Sequence, residues 1–231
     1  MKSIRIFISS PGDVANERQI AGKVIERIQG RYWSLIRIED VFWENEAMRA
    51  TATFQDEIDD PADCEIVIGI IWTKMGSPLP ERFKKIDGSS HANGTEWEIE
   101  RAITAFEDKI EAGADPESTF PNVVVYRRRE KRSPLEDPQE EQKAKHNEEY
   151  VNEYFEREFH NQDKFHTFRR ASISYRSTEE FETKLLRHLA KLVLKQIPVL
   201  KTAFNIPPIS GSPFKELQAF EFHENDRLCH G

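Results

Sequence analysis

From Ile66 to Trp72 the chain reads Ile-Val-Ile-Gly-Ile-Ile-Trp, seven residues without one polar side chain. A strand with a wet face alternates apolar and polar residues, so an unbroken run of this length belongs to a strand covered on both faces. Such strands sit in parallel sheets flanked by helices, and the neighbouring sequence supplies the other parts. Ile4-Arg5-Ile6-Phe7-Ile8 is a short β-branched and aromatic run closed by Ser9-Ser10-Pro11-Gly12-Asp13, with Asp13 placed to cap a helix. Val14, Ile20, Ala21, Val24, Ile25 and Ile28 then recur at helical spacing, and Gly30 offers a stop. Residues 35–43 form a second strand, 53–58 a short helix before Pro61, 96–111 a longer helix, and 122–126 a buried strand. Alternation of this kind predicts an α/β fold: a doubly wound, mainly parallel, five-stranded flavodoxin-like sheet with the first and third strands adjacent.

After Tyr126 the composition turns strongly charged. The segment 130–170 reads as a helical insertion carrying Tyr150, Val151, Tyr154, Phe155 and Phe159, followed by a last strand over 171–175. Ser177-Thr178-Glu179-Glu180 is a capping box that opens a helix with Phe181, Leu185, Leu189, Leu192 and Val193 on one face. One domain over 1–198 is expected, then a segment over 199–231 in which Pro207, Pro208, Gly211 and Pro213 give linker composition and weak packing is expected.

Charge and cysteine content narrow the function classes. A formal net charge of −8 disfavours a broad nucleic-acid surface, because such surfaces are built from clustered Lys and Arg. Cys64 and Cys229 are the only cysteines, too few for a disulfide framework or a Cys-based metal site. The N-terminus reads as a strand and not as a leader, and no stretch approaches the roughly 18 apolar residues of a membrane span. A cytoplasmic protein without membrane, nucleic-acid or metal partners is therefore expected. The sequence holds no G-x-x-x-x-G-K-[ST], no strand-linked G-x-G-x-x-G and no H-E-x-x-H, so ATPase, conventional dinucleotide and zinc-hydrolase chemistry are not indicated.

In an open parallel sheet ligands bind beyond the carboxyl ends of the strands, near the point where the strand order reverses. Ser9, Ser10 and Asp13 follow the first strand and precede a helix N-terminus, which favours an anion. Trp72 ends the third strand and Tyr126 the fourth, with Arg127-Arg128-Arg129 following, so two aromatics are expected on one rim beside cations. Their competing roles are a capped turn, core packing and a solvated exit loop. Gly94-Thr95-Glu96-Trp97-Glu98-Ile99 opens the long helix, whose stripe is Ile99, Ile103, Phe106 and Ile110. Glu98 lies on one flank of the stripe beside Ala102 and Ala105, and Glu96 and Glu100 lie on the other. Thr95-x-x-Glu98 also reads as a capping box, which needs no ligand.

Three stretches taken together, Arg5 to Val14 with Glu17-Arg18, Cys64 to Ile70, and Gly94 to Ala102, resemble the TIR-like domain that opens many bacterial STAND (NACHT-like) ATPases. Ser212-Pro213-Phe214-Lys215-Glu216-Leu217-Gln218-Ala219-Phe220-Glu221-Phe222 is similar to the junction preceding such an ATPase, so the chain is expected to be the front part of a longer signalling protein. Gly94-Thr95-x-x-Glu98-Ile99 is similar to the segment of nucleoside deoxyribosyltransferases that carries their active-site glutamate. TIR NAD glycohydrolases place a glutamate on the corresponding helix, although their Trp-to-Glu spacing of four lands here on Arg101.

The resemblance implies two functions of different kinds. One is an effector domain of a defence ATPase that cleaves the N-glycosidic bond of NAD or a related nucleotide. Its carboxylate is then Glu98, with Glu100 and Glu96 as fallbacks, and Ser9, Ser10, Asp13, Trp72, Thr95, Tyr126 and Arg127 are the nucleotide-binding residues. NAD enters as substrate and no cofactor is implied. The other is a non-catalytic module that self-associates on activation and serves a C-terminal STAND ATPase.

Overall fold

The computed structural model describes residues 2–41, 59–80, 83, 93–160 and 169–197. Those up to Gln196 belong to one compact unit; a second unit, 197–231, lies almost wholly outside the described residues. The expected helix over 53–58 and the linker beyond 198 also lie outside them.

The elements are β1 (Lys2–Ser9), α1 (Ala15–Tyr32), β2 (Ile36–Val41), β3 (Ile66–Ile71), α2 (Gly94–Glu111), β4 (Asn122–Arg128), α3 (Pro138–Phe159), β5 (Ile173–Tyr175) and α4 (Thr178–Lys195). They build a five-stranded sheet of order β2-β1-β3-β4-β5 in which every pairing is parallel. This is the doubly wound, flavodoxin-like arrangement. The order reverses between β1 and β3, where Ser9 stands opposite Gly69. No helix among the described residues is long and apolar enough to cross a membrane.

Alternation along the strands assigns each side chain to a layer. Phe7, Val67, Ile71 and Val125 face α2 and α3, packing with Ile99, Ala102, Val151, Phe155 and Phe159. Ile4, Ile6 and Ile8 of β1 and Ile66, Ile68 and Ile70 of β3 are equally buried and point to the opposite face, where α1 and α4 pack on each other. β3 is thus buried at all six positions, as its composition requires. Gly69 lets α2 approach: a Cβ there would stand 2.7 Å from Ile99 Cδ1.

The charged segment expected as an insertion contains the β4–β5 crossover helix. Asp137 caps α3 by accepting from the Gln139 and Glu140 N–H groups, with Pro138 in the first turn. Val151, Tyr154, Phe155 and Phe159 seat its apolar stripe in the core. At α4 the Ser177 hydroxyl accepts from the Glu180 N–H, while the Glu180 carboxylate reaches back to the Arg176 N–H, one residue before the position a capping box uses.

Three expectations about element ends are corrected. Gly30 does not stop α1, which runs on to Tyr32, whose ring is buried. Asp13 does not cap α1, because Val14 occupies that position and the Asp13 carboxylate is taken by the loop after β3. β4 does not end at Tyr126 but continues through Arg127 and Arg128, so the arginine run begins inside the sheet.

Candidate functional site

β1 ends at the reversal of strand order, and alternation turns its last residue, Ser9, toward α2. Glu98, in the second turn of α2, points down to meet it. The Ser9 hydroxyl donates to Glu98 Oε2 over 2.6 Å, and Ser9 and Glu98 are 0% and 6% exposed. Asn93 is the N-cap residue of α2, so Thr95 is already helical and the proposed Thr95–Glu98 capping box does not form. Thr95 instead gives its N–H to the Met75 carbonyl and packs against Gly76, whose φ of +89° and contact with the Thr95 hydroxyl leave no room for a side chain. The β3–α2 loop is thereby fixed to the start of the helix that carries Glu98.

Of the fallback glutamates, Glu96 faces elsewhere. Glu96 is fully buried, accepting from the Tyr150 hydroxyl at 2.6 Å and from Arg157 Nη2 at 3.0 Å, so it ties α2 to α3. The Glu100 charge acts on Tyr154 of α3 and on Arg170. The Glu96 carboxylate is thus committed to α3, which removes it as a stand-in for Glu98.

Ser10, next in the chain, turns to the other face. Its carbonyl and its hydroxyl each accept from Arg18 Nη1 at 3.1 Å. Asp13 Oδ2 accepts from the Thr73 N–H and hydroxyl at 2.9 and 2.7 Å, joining the loop after β1 to the end of β3. With Ser9 on Glu98 and Ser10 on Arg18, the predicted phosphate cradle of the Ser9-Ser10 loop has its side chains engaged within the protein. Tyr126 is also corrected: it is fully buried, edge-on to Phe181, and its hydroxyl is hydrogen-bonded to His188 Nδ1 at 2.9 Å. Burial raises its pKa and lowers that of His188. A ring so placed stacks on no ligand.

Trp72 does reach the rim. Its indole N–H donates to the Glu130 carbonyl at 2.8 Å, and the Arg128 guanidinium lies 4.2 Å over its ring. Arg128 also holds Glu17 at 2.9 Å, and Tyr175 donates to the same Glu17 oxygen at 3.2 Å, so one buried carboxylate of α1 clasps the ends of β4 and β5. Burial, and then the Glu17 charge, raises the Tyr175 pKa. Arg127, on the opposite face, stacks 4.1 Å over Phe155 and donates from Nη2 to Asn152 Oδ1 at 2.5 Å. Burial and neighbouring Arg129 lower its pKa to about 10.

Beyond the carboxyl ends of β3 and β4 opens a cleft of about 440 Å³ whose lining includes Trp72, Thr73, Arg127 and Asn152. Ser9 and Glu98 are not among its lining residues. The predicted site therefore falls into two parts: the Ser9–Glu98 pair at the β1–β3 reversal, and a cleft reached by Trp72 and Arg127. No group of three or more His, Cys, Asp or Glu residues suited to a metal is present among the described residues.

Sequence reasoning missed Arg18, Thr73, Arg128, Asn152 and Tyr175. Arg18 and Glu17 carried a signal, since both fall in phase with the apolar stripe of α1, at Val14, Ala21, Val24, Ile25 and Ile28. Charged residues in phase with a buried stripe have partners inside the protein.

The fold and these two features define a flavodoxin-like α/β protein with a polar strand-end cleft. No protein family, curated protein or solved structure matches the chain.

Proposed function

We propose that the chain is the effector domain of a STAND-type signalling ATPase and cleaves the N-glycosidic bond of NAD or a related nucleotide, with Glu98 as the essential carboxylate. The observation that carries this reading is the Ser9–Glu98 pair, with its 2.6 Å hydrogen bond at the reversal of strand order. Cleavage breaks the bond between the anomeric carbon and the base nitrogen. The electron pair leaves with the base, and positive charge develops on the ribose. A carboxylate against that carbon stabilises the charge, and water then adds its oxygen there and releases a proton. The Ser9 hydroxyl holds the Glu98 carboxylate in place. The protein surroundings implied are a C-terminal STAND ATPase and further copies of the domain.

A second reading, a non-catalytic module that self-associates, draws on the burial of the same carboxylate: at 6% exposure, Glu98 already has its donor. The two readings separate on one paired measurement. The purified chain, free at high concentration and clustered on a solid support, is incubated with NAD, NADP and nucleosides and the products are analysed. Base release is expected, and Glu98→Gln is expected to lower it roughly a hundred-fold or more while melting stays within about 1 °C, because a neutral amide still accepts from Ser9 but cannot stabilise a cation. Absence of base release in both formats, with self-association on light scattering, would replace the enzymatic reading by the second one.

A further inference from the structure

The cleft beyond β3 and β4 holds an imbalance of charge that folding alone does not account for. Among the described residues, six basic and three acidic side chains line it. The acids are already engaged: Glu130 pairs with Arg128, Glu141 with Arg132 and Lys145, and Glu148 with Arg132. Arg127, Arg129 and Lys131 have no carboxylate within ion-pair distance among the described residues.

Arg127 is the decisive one. It is 6% exposed, and a guanidinium so buried is ordinarily matched by a carboxylate, since an uncompensated buried charge is strongly disfavoured. Here the ring of Phe155 covers one face and Asn152 takes a single N–H, leaving the other donors of the guanidinium without a hydrogen bond among the described residues. The carboxylate whose field acts on it, that of Glu156, makes no ion pair with it among the described residues. Phe155 and Asn152 are both on α3, and together they hold the guanidinium in one orientation at the wall of the cleft. Arg129 and Lys131 follow at two-residue intervals along the same edge, and Thr73 adds a hydroxyl to the lining.

We infer that this cleft is a binding site for a phosphoryl or pyrophosphoryl group, anchored by Arg127 and completed by Arg129 and Lys131. A planar guanidinium pre-set by stacking presents paired N–H donors that match two phosphate oxygens, and the flanking cations neutralise a second phosphate. The volume suits a ligand of nucleotide size. The inference rests on the nucleotide reading for the identity of the ligand, but not on any chemistry at Glu98. It also moves the phosphate site from the Ser9-Ser10 loop to the far side of β3.

The test is calorimetric titration of the purified chain with inorganic pyrophosphate at fixed ionic strength, with sulfate as the control anion. Saturable one-site binding is expected, tighter than that of sulfate, weakened at least about ten-fold in Arg127→Gln and several-fold in the surface variant Arg129→Gln/Lys131→Gln. Glu98→Gln is expected to bind as the wild type does, so failed turnover and failed phosphate binding remain separate results. If Arg127→Gln does not fold, the surface variant and the shift of the Trp72 indole N–H resonance during the wild-type titration decide the matter. No saturable binding, a folded Arg127→Gln with wild-type affinity, or a surface variant with wild-type affinity and an unmoved Trp72 resonance would each overturn the assignment.

Discussion

Removing the Ser9 hydroxyl takes a donor away from a buried carboxylate. Ser9→Ala is therefore expected to destabilise the chain by about 1–3 kcal/mol, a fall in melting temperature of roughly 2–10 °C for a protein of this size. Thermal unfolding of Ser9→Ala beside Glu98→Gln checks this, and equal melting of the alanine variant and the wild type would mean that the pair contributes nothing to stability. A second residue-scale expectation concerns Cys64, which is buried and whose thiol is pushed up to about 12 by that burial. The thiolate is the nucleophile, so in a Cys229→Ser background alkylation at pH 8 should be slow and should accelerate only as urea opens the fold. Rapid labelling of the native protein would contradict it. Glu98 itself was legible in the sequence as a flank residue of the α2 stripe, but its partner was not: periodicity places a side chain on a face of its own helix and says nothing of which strand lies beneath.

The contact of α2 with β3 is set by one missing side chain. Gly69→Ala would bring a methyl group against Ile99 Cδ1 and close to Val125, and an overpacked site of this kind is expected to lose about 1–3 kcal/mol. Ile99→Val removes the clashing atom. Gly69→Ala should thus be milder in the Ile99→Val background, and denaturant unfolding of the four proteins in a double-mutant cycle measures the coupling; strict additivity would mean that Ile99 is not what crowds the site. At this scale the sequence was most informative where a period runs long, as in the unbroken β3 and the stripes of α1, α2 and α4. It was least informative at ends. The strand β4 outruns its apolar residues because Arg127 and Arg128 find Phe155 and Glu17 on opposite layers, a compensation supplied by distant segments. Tyr126 was misplaced on the rim for the same reason, since it is two residues short of the true strand end. Asp13 and Thr95 carried correct cap chemistry, yet tertiary partners claimed the first and Asn93 displaced the second.

Across the whole molecule, the groups that titrate late share one cause. Cys64, Tyr126, Tyr154 and Tyr175 all have raised pKa values chiefly because they are buried. A raised acid holds its proton longer when folded than when unfolded, so the stability involved is fully present below the unfolded values, 9.0 for the thiol and 10.0 for the phenols, and declines as the pH climbs above them. Urea midpoints should hold steady up to about pH 9 and then fall, each group adding up to about 1.4 kcal/mol per pH unit. Tyr126→Phe should flatten the decline, and a flat profile to pH 11 in the wild type would refute the account. The clasp of Glu17 on Arg128 and Tyr175 carries a consequence in time. Its hydrogen bonds join residues 111 and 158 positions apart, whereas α1 and β2 meet through near neighbours in the chain. Loop closure over such spans comes late, so the clasp should be absent at the folding barrier and present only behind it. Tyr175→Phe, which deletes one of these hydrogen bonds for about 1 kcal/mol, is then expected to speed unfolding about five-fold and leave refolding unchanged, as stopped-flow denaturant jumps can establish. The clasp is a latch: it governs how long the folded chain persists, not how quickly it forms.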